Sequence, residues 1–360
     1  MNVLFFTAHP AQVHNFKLLK LDLEARGHKV FWMATEKDIS VYLLNIYKIK
    51  YSLLEKPGKS FFAKAKALFL NTIKCIAYLR KHKIDIAVSR VSPYLSIACF
   101  LLRKPHLALA DTESSGVYNK IFAWFVSAIL TPKPFQRILR ADQLRFIGNI
   151  ELFYLHPNRF QPDAQILNLL EIQKGNPYVI MRFVSWDAYH DKGLSGFSDA
   201  NKMKAVEDFS RYARVFISAE KELPPALEPY KIQIPPERMH DALAYACMFF
   251  GESATMASES AVLGTPAVYL NENWFGTTSE EERFGLLFSF KSSLSEQQSA
   301  IDKGLELLSN QCTHQEMDNN RARFLSDKID LTAFMVWFIE HYPGSKSQIV
   351  DKPEFWGQFR

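Results

Sequence analysis

Short apolar runs of the kind that form buried β-strands alternate along the chain with longer segments whose apolar residues recur at helical spacing. Residues 2–6 (NVLFF) form the first run, a helical pattern over 12–26 follows and ends at Gly27, and a second run covers 29–33. This β-α-β opening is the usual start of a doubly wound parallel sheet. Further runs predict strands at 84–89, 106–110, 128–130, 144–147, 178–183, 214–218, 231–234, 247–250, 267–270 and 286–290.

Helical patterns separate many of these runs and continue after the last one. They lie at 60–83, 201–212, 236–246, 254–263, 294–308, 315–325 and 331–342. The stretch 148–174 has no clear strand pattern and contains His156-Pro157, which favours a linker near this point. Because strands and helices alternate on both sides of it, the predicted fold class is α/β, with two doubly wound Rossmann-like domains that face each other across a cleft.

The predicted division of the chain follows from that linker. We place an N-terminal Rossmann-like domain at 1–155, the linker at 156–176, a C-terminal Rossmann-like domain at 177–342 and a C-terminal tail at 343–360. The tail carries Phe355, Trp356 and Phe359, which predict either packing against the domains or contact with a partner.

The stretch 247–270 (CMFFGESATMASESAVLGTPAVYL) has the signals of a strand, a turn, a helix and a second strand. Ser253 stands where a helix N-cap is expected, and Gly264 and Pro266 end the helix. The helix N-terminus therefore opens at the carboxyl end of a strand. In an open α/β sheet this is where anionic ligands bind, because backbone N–H groups and the helix dipole favour negative charge.

Three side chains strengthen the prediction of an anion site there. Thr255 and Glu259 are four residues apart and share one helix face, so both could point toward the helix N-terminus. Arg182 ends the apolar strand YVIM, where a guanidinium can neutralise a phosphate. The alternative is that the turn and the glutamate serve packing and solubility alone.

Loops 7–14 and 111–116 of the N-terminal domain should face the same cleft. His14, Asp111 and Glu113 are candidate acid, base and electrostatic groups for sugar chemistry. Alternatively, His14 packs against Phe16 at the start of a helix, and Asp111 or Glu113 caps the helix that follows it.

Composition limits the classes of protein. A chain of 360 residues with 48% hydrophobic content can bury two cores. Its four cysteines form no CxxC pair, its start lacks the features of a secretory signal, and uncharged runs such as 91–102 and 121–132, of 12 residues each, are too short to span a bilayer. We therefore expect a cytoplasmic protein with buried thiols that is not integral to a membrane.

Charge is distributed unevenly. Residues 1–150 carry 23 Lys plus Arg against 9 Asp plus Glu, a net +14, whereas the rest carry 20 against 29, a net −9. A basic first half suits a phosphorylated acceptor, an anionic membrane surface or nucleic acid, or is simply a lysine-rich solvated surface. Residues 60–83 contribute most, as a basic amphipathic helix that could lie on a membrane; we favour packing of its apolar stripe on the sheet.

The 247–270 motif resembles a signature of the two-domain GT-B superfamily, in particular of the non-hydrolysing UDP-N-acetylglucosamine 2-epimerases. There, an acidic residue, Ser, Gly, Gly, three variable positions and Glu precede Leu-Gly-x-Pro. Counted back from LGTP, the matching positions here are, in order, Glu252, Ser253, Ala254, Thr255 and Glu259. The runs PAQVHNF with RGH, FQPDAQIL, YVIMRFVSWDAY and GESATMASESAVLGTP also resemble a bacterial and archaeal family of GT-B-like proteins of unknown function, over most of 1–290.

The resemblance implies a nucleotide-sugar site. Ser253 and the N–H groups that follow it would hold the diphosphate, and Glu259 would accept hydrogen bonds from the ribose hydroxyls. Arg182 matches the basic groups near the phosphates, and His9 takes the place of an arginine in the first loop of the epimerases. Two departures stand out: Ala254 and Thr255 replace two glycines, so each adds a Cβ that keeps a diphosphate farther from the backbone, and His9 is charged only at lower pH.

Three functions are compatible with these features. The predicted one is a glycosyltransferase of GT-B type that moves a sugar from a nucleotide sugar, expected to be UDP-linked, to a phosphorylated, lipid-linked or polysaccharide acceptor, as in cell-surface polysaccharide synthesis. His14 or Glu113 would remove the acceptor proton. The alternatives are an epimerase-like isomerase using Asp111 and Glu113, against which the scarcity of N-terminal carboxylates counts, and a non-catalytic sugar-nucleotide-binding protein, suggested by the lost glycines.

The expected ligands follow from the predicted transferase. The nucleotide sugar is a substrate, and no cofactor or metal is expected, because the sequence has no DxD and no clustered His/Cys set. Peripheral contact with the inner membrane face through the basic N-terminal domain is predicted, and nucleic acid is not an expected partner.

Overall fold

The computed structural model describes residues 1–56, 58, 60–184, 196–219, 222–273, 275–309, 313–349 and 353–360. Two compact units make up the chain, one of Met1–Arg159 with Lys328–Arg360 and the other of Phe160–Asp327. The second part of the segment YVIMRFVSWDAY, and Cys312, lie outside the described residues.

The first unit is built on a seven-stranded parallel sheet. Its strands are β1 Asn2–Thr7, β2 Lys29–Thr35, β3 Ser52–Leu54, β4 Ile86–Arg90, β5 His106–Leu109, β6 Ala128–Pro132 and β7 Leu144–Phe146. They pair in the order β3-β2-β1-β4-β5-β6-β7. The chain reverses its direction of travel across the sheet between β3 and β4, so the switch point of the doubly wound sheet lies between β1 and β4.

Helices cover both faces of this sheet. In the N-terminal part they are α1 Pro10–Ala25, α2 Ser40–Ile46, α3 Phe61–Lys81, α4 Pro93–Leu101 and α5 Gly116–Phe122. Crossover connections between parallel strands are right-handed, so the reversal puts α1 and α2 on one face and α3, α4 and α5 on the other. The contacts agree, because α1 packs beside α2 whereas α3 packs beside α4 and α4 beside α5.

The second unit repeats the architecture with a five-stranded parallel sheet. Its strands are β8 Tyr178–Phe183, β9 Arg214–Ala219, β10 Met248–Gly251, β11 Ala267–Leu270 and β12 Leu287–Phe290, in the order β12-β11-β10-β8-β9. Its helices are α6 Ile166–Leu169, α7 Asp199–Phe209, α8 Met239–Tyr245, α9 Ala254–Leu263, α10 Gly276–Arg283, α11 Leu294–Ser309 and α12 Thr313–Leu325. The switch point lies between β8 and β10. Both units are thus doubly wound, and the predicted α/β class with two Rossmann-like domains is confirmed.

The C-terminal segment returns to the first unit. It forms α13 Leu331–Glu340, α14 Ser345–Gln348 and α15 Pro353–Gly357, and α13 packs against α1. The predicted C-terminal domain over 177–342 is therefore wrong at its end, because 328–342 lies in the first unit. Of the predicted linker, 156–159 belongs to the first unit and 160–176 to the second.

Aromatic packing explains why the tail returns. The ring of Phe334 on α13 lies 5.4 Å from that of Trp356 and 5.5 Å from that of Phe359, and the Trp337 ring lies 5.3 Å from that of Phe355. Trp356 is only 2% exposed. Burial of these rings stabilises the tail on α13, so the tail packs back onto the protein, as one of the two predicted alternatives stated.

Two local predictions differ from the structure. The predicted strand over 231–234 is wrong, because this stretch makes only a single bridge, between Lys231 and Ile217 of β9, before Pro235 and Pro236 stop strand pairing. The edge strand β3 was not predicted, since three residues are too few to show an alternating pattern.

Candidate functional site

The switch point of the second unit is held by an unusually close backbone contact. Gly251, the last residue of β10, pairs with Arg182 of β8. A Cβ at Gly251 would lie 2.3 Å from the Arg182 carbonyl oxygen, so a side chain cannot be accommodated without moving a strand. The next residue continues the pairing, since the Glu252 N–H donates to the Arg182 carbonyl at 3.0 Å. Glycine is therefore required where β10 ends and the loop to α9 begins.

Helix α9 begins and ends as the sequence predicts. Ser253 is the N-cap, with an extended backbone and an Oγ that accepts a hydrogen bond from the Met256 N–H at 3.3 Å. Gly264 ends the helix with φ of 89°, a conformation that glycine adopts without strain. The N–H groups at the start of a helix have no acceptor within it. Because Ser253 satisfies that of Met256, the N–H groups of Ala254 and Thr255 are those presented at the helix N-terminus.

Both ends of α9 are matched to its dipole. At the C-terminus, the Nε of Arg321 from α12 donates a hydrogen bond to the Val262 carbonyl at 2.9 Å, which places a cation at the negative end of the helix. The half-buried residues Ser253, Ala254 and Thr255 lie at the positive end, beside the carboxyl ends of β8 and β10. This geometry favours an anion at the N-terminus.

Glu252 was matched to the acidic position of the signature, and the structure gives it a definite local role. Its side chain is buried, and its two carboxylate oxygens accept hydrogen bonds from the Val184 N–H at 2.9 Å and the Phe197 N–H at 2.7 Å. These bonds fix the backbone just after β8 and just before α7. Glu252 therefore organises the surroundings of α9, and its carboxylate is already used by backbone donors.

Arg182 lies at the carboxyl end of β8, as predicted. Its side chain is half-buried, and its Nη1 donates a hydrogen bond to Ser218 Oγ of β9 at 2.7 Å. The two residues are directly paired in the sheet. This contact holds the guanidinium at the same sheet edge as the N-terminus of α9.

Glu259 is buried in the second unit. Its side chain is 6% exposed, and Oε1 lies 3.0 Å from Nε2 of His240, which is buried on α8. Sequence reasoning missed His240. The sequence indicated only that His240 lies in the helical pattern 236–246; nothing in it links that helix to α9. The predicted contact of Glu259 with ribose remains a prediction, and its carboxylate is oriented by His240.

The predicted residues of the first N-terminal loop lie at the start of α1. His9 is the N-cap, and its Nδ1 accepts a hydrogen bond from the Ala11 N–H at 3.3 Å. His14 is buried one turn further on, where Lys17 Nζ and Tyr47 Oη each lie 3.4 Å from its Nδ1. Its ring contacts those of Tyr47 and Tyr154, at centroid distances of 5.9 and 5.5 Å, so tyrosines form its packing environment.

Asp111 forms a bidentate ion pair that the sequence did not predict. Nη1 of Arg90 donates to its Oδ2 at 2.8 Å, Nη2 contacts its Oδ1, and the Thr112 hydroxyl also donates to Oδ1 at 2.8 Å. Loss of hydration lowers the pKa of Arg90 to about 10, against the opposing effect of the Glu151 charge, so the guanidinium stays charged at neutral pH. Arg90 is the last residue of β4 and Arg182 the last but one of β8, so the same strand-end position could have identified Arg90.

Glu113 lies near that pair in the chain but has other contacts. It is buried, and its Oε1 accepts a hydrogen bond from the Gln136 N–H at 3.3 Å. The carboxyl edge of the first sheet therefore carries Arg90, Asp111, Glu113 and, at the start of α1, His9. Within the described part of the chain, no three His, Cys, Asp or Glu side chains are grouped closely enough to hold a metal ion.

Solved structures with the same architecture were found at low sequence identity. UDP-GlcNAc 2-epimerase from Neisseria meningitidis, bound to UDP-GlcNAc, superposes with a TM-score of 0.69 at 13% identity, over 94% of this chain and 100% of that chain. The S. aureus MnaA-UDP co-structure gives 0.68 at 11% identity, over 96% and 97%. MurG from Acinetobacter baumannii gives 0.57 at 16% identity, over 94% and 99%.

These likenesses establish the fold as that of GT-B proteins. A search of curated protein sequences gives no match. A family model described as "Protein of unknown function (DUF354)" matches residues 3–274, which include the first sheet as well as β8, β9, β10, α9 and β11. The matched region is three quarters of the chain and contains both switch points, so this protein belongs to the DUF354 family.

Proposed function

We propose that the protein is a GT-B glycosyltransferase whose second unit binds a nucleotide sugar at the N-terminus of α9. The observation that carries the proposal is the arrangement at the switch point of the second sheet. The open end of α9 lies beside the carboxyl end of β8, where Ser218 holds the guanidinium of Arg182. Support comes from two structures of the same fold, the epimerase bound to UDP-GlcNAc and the MnaA-UDP co-structure.

The roles in donor binding follow from this arrangement. The N–H groups of Ala254 and Thr255, with the hydroxyl of Ser253, face the diphosphate, and Arg182 supplies positive charge. Glu259, oriented by His240, accepts hydrogen bonds from the ribose hydroxyls. A UDP-linked sugar is the proposed donor.

The first unit is proposed to receive the acceptor, which is phosphorylated, lipid-linked or a polysaccharide. Its net charge of +14 favours an anionic acceptor. His14 and Glu113 are the proposed bases, because the carboxylate of Asp111 is held by Arg90 and acts as a fixed charge. His9, as the N-cap of α1, is proposed to face the phosphates with Nε2 as donor, since its Nδ1 is used by the Ala11 N–H. No metal or other cofactor takes part in the proposed reaction.

Calorimetric titration with UDP, UDP-GlcNAc and dTDP tests the donor site. We expect saturable binding of at least one, and the Glu259→Gln variant should weaken it about tenfold, because a hydrogen bond to a charged group is lost while the side-chain size is kept. Glu306→Gln, at an exposed pair with Lys303, is the matched control and should bind like the parent protein. No heat of binding with any of the three nucleotides would remove the premise, and equal affinities of the two variants would remove the ribose assignment.

A second experiment uses the two replaced glycines. If the diphosphate approaches the backbone at the start of α9, removal of the two side chains in Ala254→Gly/Thr255→Gly should tighten nucleotide binding, despite a lower helix propensity. Thermal unfolding of the free variant corrects for the propensity cost. Weaker binding by the variant, at unchanged folding, would place the diphosphate elsewhere.

The epimerase-like isomerase is the second candidate, and the higher TM-score of the epimerase structure, 0.69 against 0.57 for MurG, favours it. The first sheet edge argues against it, because Asp111, one of its two required carboxylates, is bound by Arg90. Incubation with UDP-GlcNAc in heavy water separates the two. Deuterium at carbon 2 of the sugar would identify an epimerase, whereas slow donor hydrolysis without exchange is expected of a transferase that lacks its acceptor.

A further inference from the structure

One face of the first unit exposes large apolar side chains that the proposed chemistry does not use. The helices α3, α4 and α5, together with the turn that follows α5, cover this face and contact one another in sequence. Their exposed large hydrophobic residues are Phe61, Phe62, Phe69, Ile73, Phe100, Leu101, Ile121 and Trp124. Among the described residues of the second unit, by contrast, the exposed large hydrophobic residues are Leu169, Tyr212, Tyr245 and Leu294.

Helix α3 is apolar on two sides. The side that faces the sheet is buried and includes Cys75 and Leu79. The outer side carries Phe62, Phe69 and Ile73, of which Phe62 is 83% exposed and Phe69 is 66% exposed. A helix that packs only on a sheet has a polar outer face. Helix α3 therefore packs one apolar side on the sheet, as predicted, but a second apolar side is exposed.

Large aromatic side chains are also present on the helices next to α3. Phe100 at the end of α4 meets Phe125 edge to face at 5.3 Å, and Phe125 lies 6.3 Å from Phe122 at the end of α5. Trp124, between these two rings in the chain, is 70% exposed. Three adjacent helices on one face of the sheet thus each expose large apolar side chains, a concentration that favours an interaction surface.

The three helices of this surface carry basic residues and no acidic ones. No Asp or Glu occurs in the sequences of α3, α4 or α5. Their basic residues, which are all exposed, are Lys64, Lys66, Lys74, Arg80, Lys81 and Lys120. One acidic side chain approaches from outside the three helices, since Glu55 pairs with Lys74 at 2.7 Å. The surface therefore combines exposed aromatic rings with an excess of lysine.

We propose that the outer face of α3, α4 and α5 docks on the surface of a bilayer that contains anionic lipid. Aromatic rings enter the boundary between headgroups and acyl chains, while lysines contact the anionic headgroups. A second copy of the chain fits less well, because it would bring two lysine-rich faces together. None of the helices within the described residues is long and apolar enough to cross a membrane, so contact is with the surface.

Docking on a membrane would suit the lipid-linked acceptor proposed above, but the docking proposal does not require that acceptor. A transferase held on a bilayer by its first unit meets a lipid-linked acceptor within a thin layer. Vesicle binding needs neither nucleotide nor catalysis, so its result is independent of the donor experiments above.

Co-sedimentation of the full chain with phosphatidylcholine vesicles, with and without phosphatidylglycerol, tests the proposal. The protein should bind the anionic vesicles and bind pure phosphatidylcholine more weakly, and added salt should weaken the anionic binding. Phe62→Ser/Phe69→Ser should lower the affinity for anionic vesicles at least tenfold, because two exposed rings are removed without a change in the core. Lys64→Glu/Lys66→Glu should lower it by about tenfold or more and reduce the dependence on salt.

Two matched controls make the test specific. Leu21→Ser removes a side chain that is 56% exposed on α1, which lies on the opposite face of the same sheet. Lys231→Glu/Lys291→Glu makes the same charge change at two exposed residues of the second unit. Both controls should bind vesicles like the parent protein. Absence of binding to anionic vesicles, equal losses in test and control variants, or a parent dimer that Phe62→Ser/Phe69→Ser converts to a monomer while vesicle binding is unchanged would each overturn the proposal.

Discussion

The two units share one architecture but differ in almost every surface property. Each has a parallel sheet with a switch point, yet the first carries a net charge of +14 and the second −9. The first exposes aromatic and basic side chains together on one face, whereas most large apolar residues in the described part of the second are buried. The fold therefore fixes where a ligand site can form, and the residues at the sheet edge decide what it can bind.

The carboxyl edges show the difference most directly. In the first unit, Arg90 at the end of β4 is neutralised by the carboxylate of Asp111. In the second, Arg182 at the end of β8 is oriented by the neutral hydroxyl of Ser218. Arg90 thus completes an ion pair with a carboxylate, whereas the Ser218 hydroxyl holds the Arg182 guanidinium near a helix N-terminus. An arginine near a helix N-terminus favours an anionic donor in the second unit.

The largest expected effect comes from Gly251, which makes its close backbone contact at the second switch point. In Gly251→Ala the new Cβ would lie 2.3 Å from the Arg182 carbonyl oxygen, so β8 and β10 must separate. We expect a loss of about 3 kcal/mol or more in the free energy of unfolding, measured in urea. Gly357→Ala, where a Cβ would have no atom within 4 Å, is the control and should change stability little. Equal stabilities of the two variants would show that the strand contact is not as tight as described.

The second-largest expected effect concerns the ion pair between Arg90 and Asp111 at the carboxyl edge of the first sheet. Asp111→Ala leaves the mostly buried Arg90 guanidinium without its carboxylate, and we expect it to cost about 3 kcal/mol. Ser218→Ala removes the neutral partner of Arg182 and should cost about 1 kcal/mol. Urea unfolding of both variants measures the difference between the two edges. If Asp111→Ala costs no more stability than Ser218→Ala, the ion pair does not make the two sheet edges different. Recovery of stability in Arg90→Met/Asp111→Ala would confirm that the unpaired Arg90 charge causes the loss.

The smallest expected effect is a pH dependence that originates in the first unit. His106 on β5 is fully buried with Nε2 at 2.8 Å from Ser89 Oγ, and burial lowers its pKa to about 3. The unfolded chain titrates near 6.5, so the stability that the neutral ring provides is complete above pH 6.5 and is lost toward pH 3, at about 1.4 kcal/mol per pH unit.

The variant His106→Gln removes this titration and keeps a side-chain donor for Ser89. Between pH 6.5 and pH 5, the free energy of unfolding of the parent protein should fall by about 2 kcal/mol more than that of the variant. Urea unfolding at several pH values measures both slopes. Parallel slopes would show that burial does not lower the pKa of His106.

Much of the fold was predictable because its signals are local. Apolar runs locate β1, β2, β4 and β5 to within two residues, and the caps of α9 at Ser253 and Gly264 were identified from residue type alone. The edge strand β3 was missed because three residues hold no period. The return of α13 to the first unit was missed because the pairing of Phe334 with Trp356 is a contact that no local pattern encodes.

The candidate site also contains residues that local signals indicate and contacts that only the folded structure reveals. The sequence located Ser253, Ala254, Thr255 and Arg182, because helix caps and strand ends have local signals. It gave no sign that Glu259 contacts His240 or that Asp111 pairs with Arg90, since each contact joins residues about 20 positions apart through the packing of separate elements.

The sequence by itself determined the α/β class, the strand, turn and helix around Ser253, and the uneven charge of the two units. These follow from periodicity, turn chemistry and composition, which are properties of neighbouring residues or of simple sums. Only the tertiary structure decided which carboxylates are already paired, which unit holds the C-terminal helices, and that α3 is apolar on its outer face as well as its inner one. Such features depend on what packs against each side chain, and the chain order does not record it.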